Sequence, residues 1–260
     1  MTVVGTGITY FSHITNEARA SIGTADKVLA LVADPATEGF LRRLNPSVES
    51  LERFYVPGQD RLESYRSMAD EIVDWVSKGL AVCAVFYGHP GVFVMPAHVA
   101  IEKARRSGFP ARMLPGISAE ACLFADLGVD PGADGCQSFE ATDFLVSRRR
   151  FDPTSVLLLW QVGVIGRTGI EREPHRPALL ELVTRLSSEY GNDWDVVLYE
   201  APQYPIFDPA IERTTLRELP DHEVGAFVTL YVPPKGRRSP DLETLELLGI
   251  SPTESSGDGG

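Results

Sequence analysis

Leu80-Ala-Val-Cys-Ala-Val-Phe-Tyr87-Gly-His-Pro-Gly-Val-Phe93 opens as a nearly unbroken apolar run and then breaks at two glycines and a proline. A short, valine-rich run of this kind is the pattern of a strand covered on both faces, as in a parallel sheet. Gly88, Pro90 and Gly91 cannot continue a strand interior, so the chain must turn after Tyr87. Ligands of open α/β sheets sit beyond the carboxyl ends of the strands. The loop that starts at Tyr87 is therefore the first candidate binding site. A plain strand-to-helix turn is the alternative reading of the same residues.

Upstream of this strand, Asp60 followed by Glu63 has the spacing of a capping box. The helix it opens runs from Arg61 to about Lys78 and stops at Gly79, with Leu62, Tyr65, Ala69, Ile72 and Val76 as its apolar stripe. Arg61 and Tyr65 are four apart and share a side. An arginine in the first helical turn opposes the macrodipole, and a local rule broken without visible gain points to function, with a plain surface arginine as the alternative reading. Before this helix, residues 52–56 (Glu-Arg-Phe-Tyr-Val) read as a brief strand, and 36–50 as a short helix and loop. Residues 27–33 form a second buried strand, ended by Asp34-Pro35. Thr15 caps a helix over 16–22. Thr2-Val-Val-Gly-Thr-Gly-Ile8 is a short strand entering a glycine loop, which lacks the third glycine of a dinucleotide fingerprint.

Downstream, a helix over 96–107 and a strand over 112–114 lead to Pro115-Gly116-Ile117-Ser118, where Ser118 caps a helix to Leu127. That helix start, with its free N–H groups, can also face a polar ligand. Apolar strands follow at 156–160, 195–199 and 226–232, with a helix over 178–190. The alternation of strands and helices predicts an α/β chain with mainly parallel or mixed sheets flanked by helices. Patterning restarts near residue 115, which divides the chain into domains over 1–115 and 116–240, with a short tail over 241–260. The polar, glycine-rich end from Ser251 is expected to be disordered. No internal repeat is evident.

With 260 residues and a net charge of -12, the chain has no long basic stretch, which argues against nucleic acid as its partner. Arg148-Arg149-Arg150 is the densest basic run and reads as solvated surface, with docking of a partner as the alternative. The cysteines, Cys83, Cys122 and Cys136, make no C-x-x-C and no even disulfide set, so a reducing cytoplasm is the expected compartment. There is no paired-histidine or clustered-cysteine metal pattern, no secretory segment and no apolar run of about 18 residues that could span a membrane.

Five stretches carry a resemblance: Val4-Gly-Thr-Gly-Ile8, residues 14–26, Tyr87-Gly-His-Pro-Gly91, Leu114-Pro-Gly-Ile-Ser118 and Tyr231-Val-Pro-Pro234. In this order over nearly the whole chain, they resemble the tetrapyrrole-methylase superfamily of S-adenosylmethionine-dependent methyltransferases. Phe54-Tyr55 with Arg61 and Tyr65, the Tyr-Gly-His-Pro-Gly-Val-Phe loop, and Leu159-Trp160-Gln161 are most similar to the borosin peptide-backbone α-N-methyltransferases. Fungal borosin enzymes carry their substrate peptide on a long C-terminal extension. The tail here is not an apolar core peptide, which points to the split type that methylates a separate precursor.

The resemblance implies a homodimer of two-domain α/β subunits, or a heterotetramer with two precursors, with the cofactor between the domains. It implies that Tyr55, Arg61, Tyr65 and Tyr87 surround the reacting amide. It implies Tyr87, His89, Val92, Phe93, Ser118, Ala119, Gln161, Tyr199 and Ala201 for S-adenosylmethionine and its product S-adenosylhomocysteine. His89 is expected to serve loop shape rather than to act as a base.

The chemistry suits these residue types. An amide nitrogen is a poor nucleophile because its lone pair is shared with the carbonyl. It must lose its proton to attack a methyl group, and the resulting negative charge falls on the carbonyl oxygen. Carboxylates, with a pKa of about 4, are too weak as bases, whereas a phenolate, at about 10, is strong enough and is stabilised by a nearby guanidinium. Arginine does not give up its own proton here, so Arg61 is an electrostatic partner. Tyr65 is assigned to proton removal, with Tyr55 assisting and Tyr87 orienting the amide. Core packing with satisfied hydroxyls is the alternative for all three tyrosines. At the level of function, the alternatives are a C-methyltransferase of a tetrapyrrole or other small molecule, and a non-catalytic regulator that binds cofactor or peptide.

Overall fold

Alternation along the central strand builds the first half of the molecule. The computed structural model describes residues 1–32, 34–167, 175–236 and 239–251. The chain forms two compact units; the first holds Met1–Gly128 and Glu200–Ala210, and the second includes Val129–Gly166 and the residues from Ile211 onward. The first unit thus reaches past the expected boundary at 115.

The first unit runs β1 (Thr2–Gly5), α1 (Asn16–Thr24), β2 (Lys27–Leu31), α2 (Pro35–Leu44), β3 (Val48–Ser50), α3 (Arg61–Ser77), β4 (Val82–Phe86), α4 (Met95–Arg106), β5 (Arg112–Met113) and α5 (Ala119–Leu127). Its sheet has the order β3-β2-β4-β1-β5, and every pairing is parallel. The strand quoted first is β4, at the centre, with all of its residues buried. Side chains alternate across a strand. Val82, Ala84 and Phe86 therefore join Met68 and Ile72 of α3 and Ala97 of α4, while Cys83 and Val85 join Ile22 of α1 and Leu41 of α2. The register pairs Gly5 with Phe86 and Leu31 with Phe86, so three strands end level and their loops start side by side.

Several local expectations change. Residues 52–56 do not continue as a strand: the last ladder bond is Leu51 N–H to Ala30 O, 2.8 Å, after which Glu52–Phe54 close a 3-10 turn. Leu62 is 48% exposed, and the buried face of α3 is Ser64, Met68, Ala69, Ile72 and Val76. The cap of α3 is simpler than a capping box: the Asp60 carboxylate accepts from Leu62 N–H at 2.7 Å, and Glu63 N–H goes to the Asp60 carbonyl at 3.1 Å. Asp60→Ala should cost about 1 kcal/mol, the usual loss for an N-cap. For a chain of this size that lowers the melting midpoint by about 2–4 °C in a circular-dichroism melt.

The second unit contributes α6 (Pro131–Asp134), β6 (Cys136–Glu140), α7 (Ala141–Val146), β7 (Val156–Trp160), α8 (Arg176–Tyr190), β8 (Asp195–Glu200), β9 (Ala210–Thr215), β10 (Thr229–Val232) and α9 (Leu242–Leu248). Its sheet is mixed, in the order β6-β7-β10-β8-β9, with β6 parallel to β7 and β10 antiparallel to β7 and β8. Leu157, Leu159, Leu182, Leu186, Leu198 and Leu230 form the centre of its core. The expected strand over 226–232 is shortened to its last four residues. The expected tail begins with helix α9; its residues from 252 on, and Ala33 at the end of the expected strand over 27–33, lie outside the described residues. Among the described residues, no helix is long and apolar enough to cross a membrane.

Candidate active site

The glycines after β1 and β4 serve close backbone approach. Gly7 and Gly88 exchange hydrogen bonds, Gly7 N–H to Gly88 O at 3.2 Å and Gly88 N–H to Gly7 O at 3.0 Å. Both sit at left-handed φ, +72° and +70°, which glycine adopts without steric cost. A Cβ on Gly5 would lie 2.0 Å from Gly88 O, and one on Gly116 would lie 3.3 Å from it. The loops after β1, β4 and β5 therefore meet backbone to backbone at the carboxyl edge of the sheet.

His89 closes its own turn, its Nδ1 accepting from Gly91 N–H at 3.0 Å, while His98 Nε2 donates to Gly91 O at 2.9 Å. Val92 and Phe93 stand on the outside of this loop, 38% and 48% exposed. Ser118 Oγ caps α5 by accepting from Ala121 N–H at 3.2 Å, and Ala119 is the first helical residue. Ala201 is buried on the 200–210 segment of the first unit. Gln161, which follows β7, and Tyr199, buried in β8, belong to the second unit. Phe93 and Gln161 both hold positive φ, +56° and +60°. Left-handed backbone at a non-glycine costs about 1–3 kcal/mol and clusters at ligand sites.

The tyrosines divide between the two faces of the first sheet. Tyr55 and Tyr65 meet edge to face, ring centroids 6.3 Å apart at 67°, and both pack against the α3 side of the core. Arg61 stands one turn before Tyr65 on α3 and is half-exposed. Tyr87 follows Phe86 and so takes the opposite face, where it lines a small pocket with Ile14 and Phe40. Burial, and then the negative fields of Cys122, Glu200 and Asp34, push the Tyr87 phenol well above its ordinary range. It keeps its proton at neutral pH and can donate a hydrogen bond. Burial also raises the Glu200 carboxyl.

Asp34 and Tyr204 were not singled out in the sequence. The Asp34 carboxylate caps α2, accepting from Ala36 N–H at 2.9 Å and Thr37 N–H at 3.0 Å, and also accepts from the Tyr204 hydroxyl at 2.9 Å. Tyr10 N–H donates to Gln203 O at 2.7 Å, and Thr9 Oγ1 to Pro202 O at 2.9 Å. These bonds fasten the 200–210 segment to the loop after β1. The sequence signal for the cap is Asp-Pro-x-Thr at 34–37, whose Asp34-Pro35 also ends the preceding strand. Desolvation raises the Asp34 pKa, but the hydrogen bonds from Thr37, Tyr204 and Ala36 together outweigh it and hold the carboxyl below its ordinary value. A depressed folded pKa stabilises fully above the unfolded aspartate value of about 3.9 and is lost as pH falls through the folded value. Tyr204→Phe removes one lowering bond, so its acid unfolding, followed by tryptophan fluorescence, should begin at higher pH than in the parent protein. Among the described residues, no group of three or more side chains could hold a metal ion.

Residues 1–220 match the family described as Tetrapyrrole (Corrin/Porphyrin) Methylases. The chain belongs to that family. The two-sheet α/β architecture expected from the sequence is the tetrapyrrole-methylase fold. The chain is similar to a methyltransferase/ribosomally synthesized type I borosin cyclic peptide precursor of Coprinopsis marcescibilis, 44% identical over 96% of this chain and 67% of that protein. It is also similar to a methyltransferase/ribosomally synthesized cyclic peptide gymnopeptides precursor of Gymnopus fusipes, 42% identical over 96% of this chain and 61% of that protein. The chain thus spans 61% and 67% of the length of these two curated relatives. Among solved structures, uroporphyrin-III-C-methyltransferase from Thermus thermophilus shares the fold, with a TM-score of 0.63 and 18% identity over 89% of this chain and 90% of that one.

Proposed function

We propose that this chain uses S-adenosylmethionine to N-methylate backbone amides of a ribosomal precursor peptide. The observation that carries the reading is likeness over 96% of the chain to proteins whose names join a methyltransferase to a cyclic peptide precursor. A cofactor site is supported by the loops after β1 and β4, which start side by side at the carboxyl edge of the sheet where ligands of α/β sheets sit, and by Phe93, held in left-handed backbone of the kind that clusters at ligand sites. Tyr87, His89, Val92, Phe93, Ser118, Ala119 and Ala201, all of the first unit, are the proposed contacts. When bound, the cofactor supplies an electrophilic methyl group on a sulfonium.

The remaining work falls to the protein. Tyr65 takes the amide proton, Arg61 stabilises the phenolate by its charge, and Tyr55 assists through its ring contact with Tyr65. Tyr87 donates to the amide oxygen as negative charge builds there, the role of a preorganised oxyanion donor. Incubation with S-adenosylmethionine and synthetic apolar peptides, with methylation read by tandem mass spectrometry, tests this. Successive methyl additions on backbone nitrogens of the peptide are the expected result. Methylated porphyrinogen in a parallel incubation would support the small-molecule reading instead, and cofactor binding without any product would support a regulator.

A further inference from the structure

The half-buried carboxylates of the first unit are answered by the chain itself, with one exception. Asp34 accepts from the first N–H groups of α2 and from the Tyr204 hydroxyl. Glu38 pairs with Arg42 at 2.6 Å, Glu71 with Arg53 at 2.7 Å, and Glu49 with Lys27. Glu120 stands in the first turn of α5, where the macrodipole favours an anion. Glu200 is the exception. It is half-buried, and among the described residues no donor or cation meets its side chain. Water is taken from it without a replacement, which raises its carboxyl.

Its place in the fold brings it to the candidate site. Glu200 ends β8 and belongs to the first unit. The segment it opens is tied to the loop after β1, Thr9 Oγ1 donating to Pro202 O at 2.9 Å and Tyr10 N–H to Gln203 O at 2.7 Å. Thr9 and Tyr10 in turn line the same small hollow as Tyr87. Three groups act on the Tyr87 phenol through negative charge: Cys122, Glu200 and Asp34. Burial pushes the Cys122 thiol up to about 11, so it keeps its proton at neutral pH. Asp34 is occupied by α2 and Tyr204. Glu200 is left as the carboxylate open to a cation, and a positive charge beside it would favour its ionised form.

We propose that Glu200 is the counter-charge for the sulfonium of the methyl donor, a binding residue that separates donor from product by charge. The inference rests on the S-adenosylmethionine reading above. Transfer of the methyl group to nitrogen breaks the carbon–sulfur bond and returns its electron pair to sulfur, which becomes a neutral thioether. The attraction to Glu200 therefore ends with the reaction, and this favours release of the product.

Calorimetry of S-adenosylmethionine and S-adenosylhomocysteine binding to the full chain and to Glu200→Gln tests this without turnover. Glutamine keeps the shape of the side chain and removes its charge. The donor should bind Glu200→Gln about tenfold more weakly than the parent, as for one charge pair at a half-exposed position, while product affinity stays within about twofold. Unchanged product binding also shows that the variant's site is intact. Donor and product share the same amino and carboxyl groups. Equal losses for both would set Glu200 against the shared amino group and overturn the proposal, as would an unchanged donor affinity. A second measurement needs no variant: in the parent protein, added salt should weaken donor binding more than product binding, because salt screens the charge pair. Equal salt dependence of the two overturns the proposal. A parent protein that binds neither compound overturns the S-adenosylmethionine reading and this inference with it, a result distinct from binding without discrimination.

Discussion

Gly5→Ala is expected to destabilise the first unit by about 3 kcal/mol, the upper part of the usual range for forcing an atom into a packed interior, and to abolish methyl transfer. The reason is space rather than backbone freedom. The new methyl would lie 2.0 Å from Gly88 O, 2.8 Å from Pro90 Cδ and 3.1 Å from the Gly88 carbonyl carbon. None of these atoms ends a flexible side chain that could swing away. Gly88 is held at φ +70° and doubly bonded to Gly7, and Pro90 is fixed by its own ring. Relief must therefore part the loops after β1 and β4, which carry Tyr87, His89, Val92 and Phe93. Gly23→Ala is the control: its nearest neighbour would be Leu44 O at 4.0 Å, and it lies inside helix α1. That change should stabilise by about 0.5–1 kcal/mol through helix propensity. Urea denaturation gives both free energies, and calorimetry gives cofactor affinity. A Gly5→Ala protein with parental stability and affinity would show that the loop contact can be dispensed with.

The centre of the fold was legible because burial on both faces writes itself as an apolar run, and β4 is such a run between two glycine turns. The edges were not. Ala210–Thr215 forms an outer strand that is mostly exposed, so no apolar pattern marks it, and β6, Cys136–Glu140, is only half-buried along its length. Residues 52–56 look β-rich, yet pairing stops at Leu51, and composition does not report where a ladder ends. The stripe of α3 was misplaced at Leu62, because Ser64 and Met68 turn inward instead. At the site, the meeting of Tyr55 with Tyr65 could be anticipated from a turn entering a helix. The face taken by Tyr87 was available from parity, since a residue after Phe86 must point the other way. The Tyr204 bond to Asp34 spans 170 positions, and no local periodicity announces a contact of that length.

Tyr65→Phe should slow peptide methylation by about 10²–10⁴-fold, the contribution usual for a positioned general base, while cofactor affinity stays at the parental value. Phenylalanine keeps the ring, and with it the edge contact to Tyr55 and the packing beside Met68, so only the hydroxyl is lost. Single-turnover rates read by mass spectrometry, with calorimetry of cofactor binding, separate chemistry from binding. An undiminished rate would remove Tyr65 from proton transfer and leave Tyr55 as the next candidate. The companion change, Tyr87→Phe, deletes a donor whose proton is held by burial. Loss of one oxyanion donor costs about 10²–10³-fold. Tyr65 and Tyr87 pack on opposite faces of the first sheet. Large losses in both variants therefore require the reacting amide to lie across the carboxyl edge of that sheet, within reach of both hydroxyls. A loss in only one would place the amide on that residue's face.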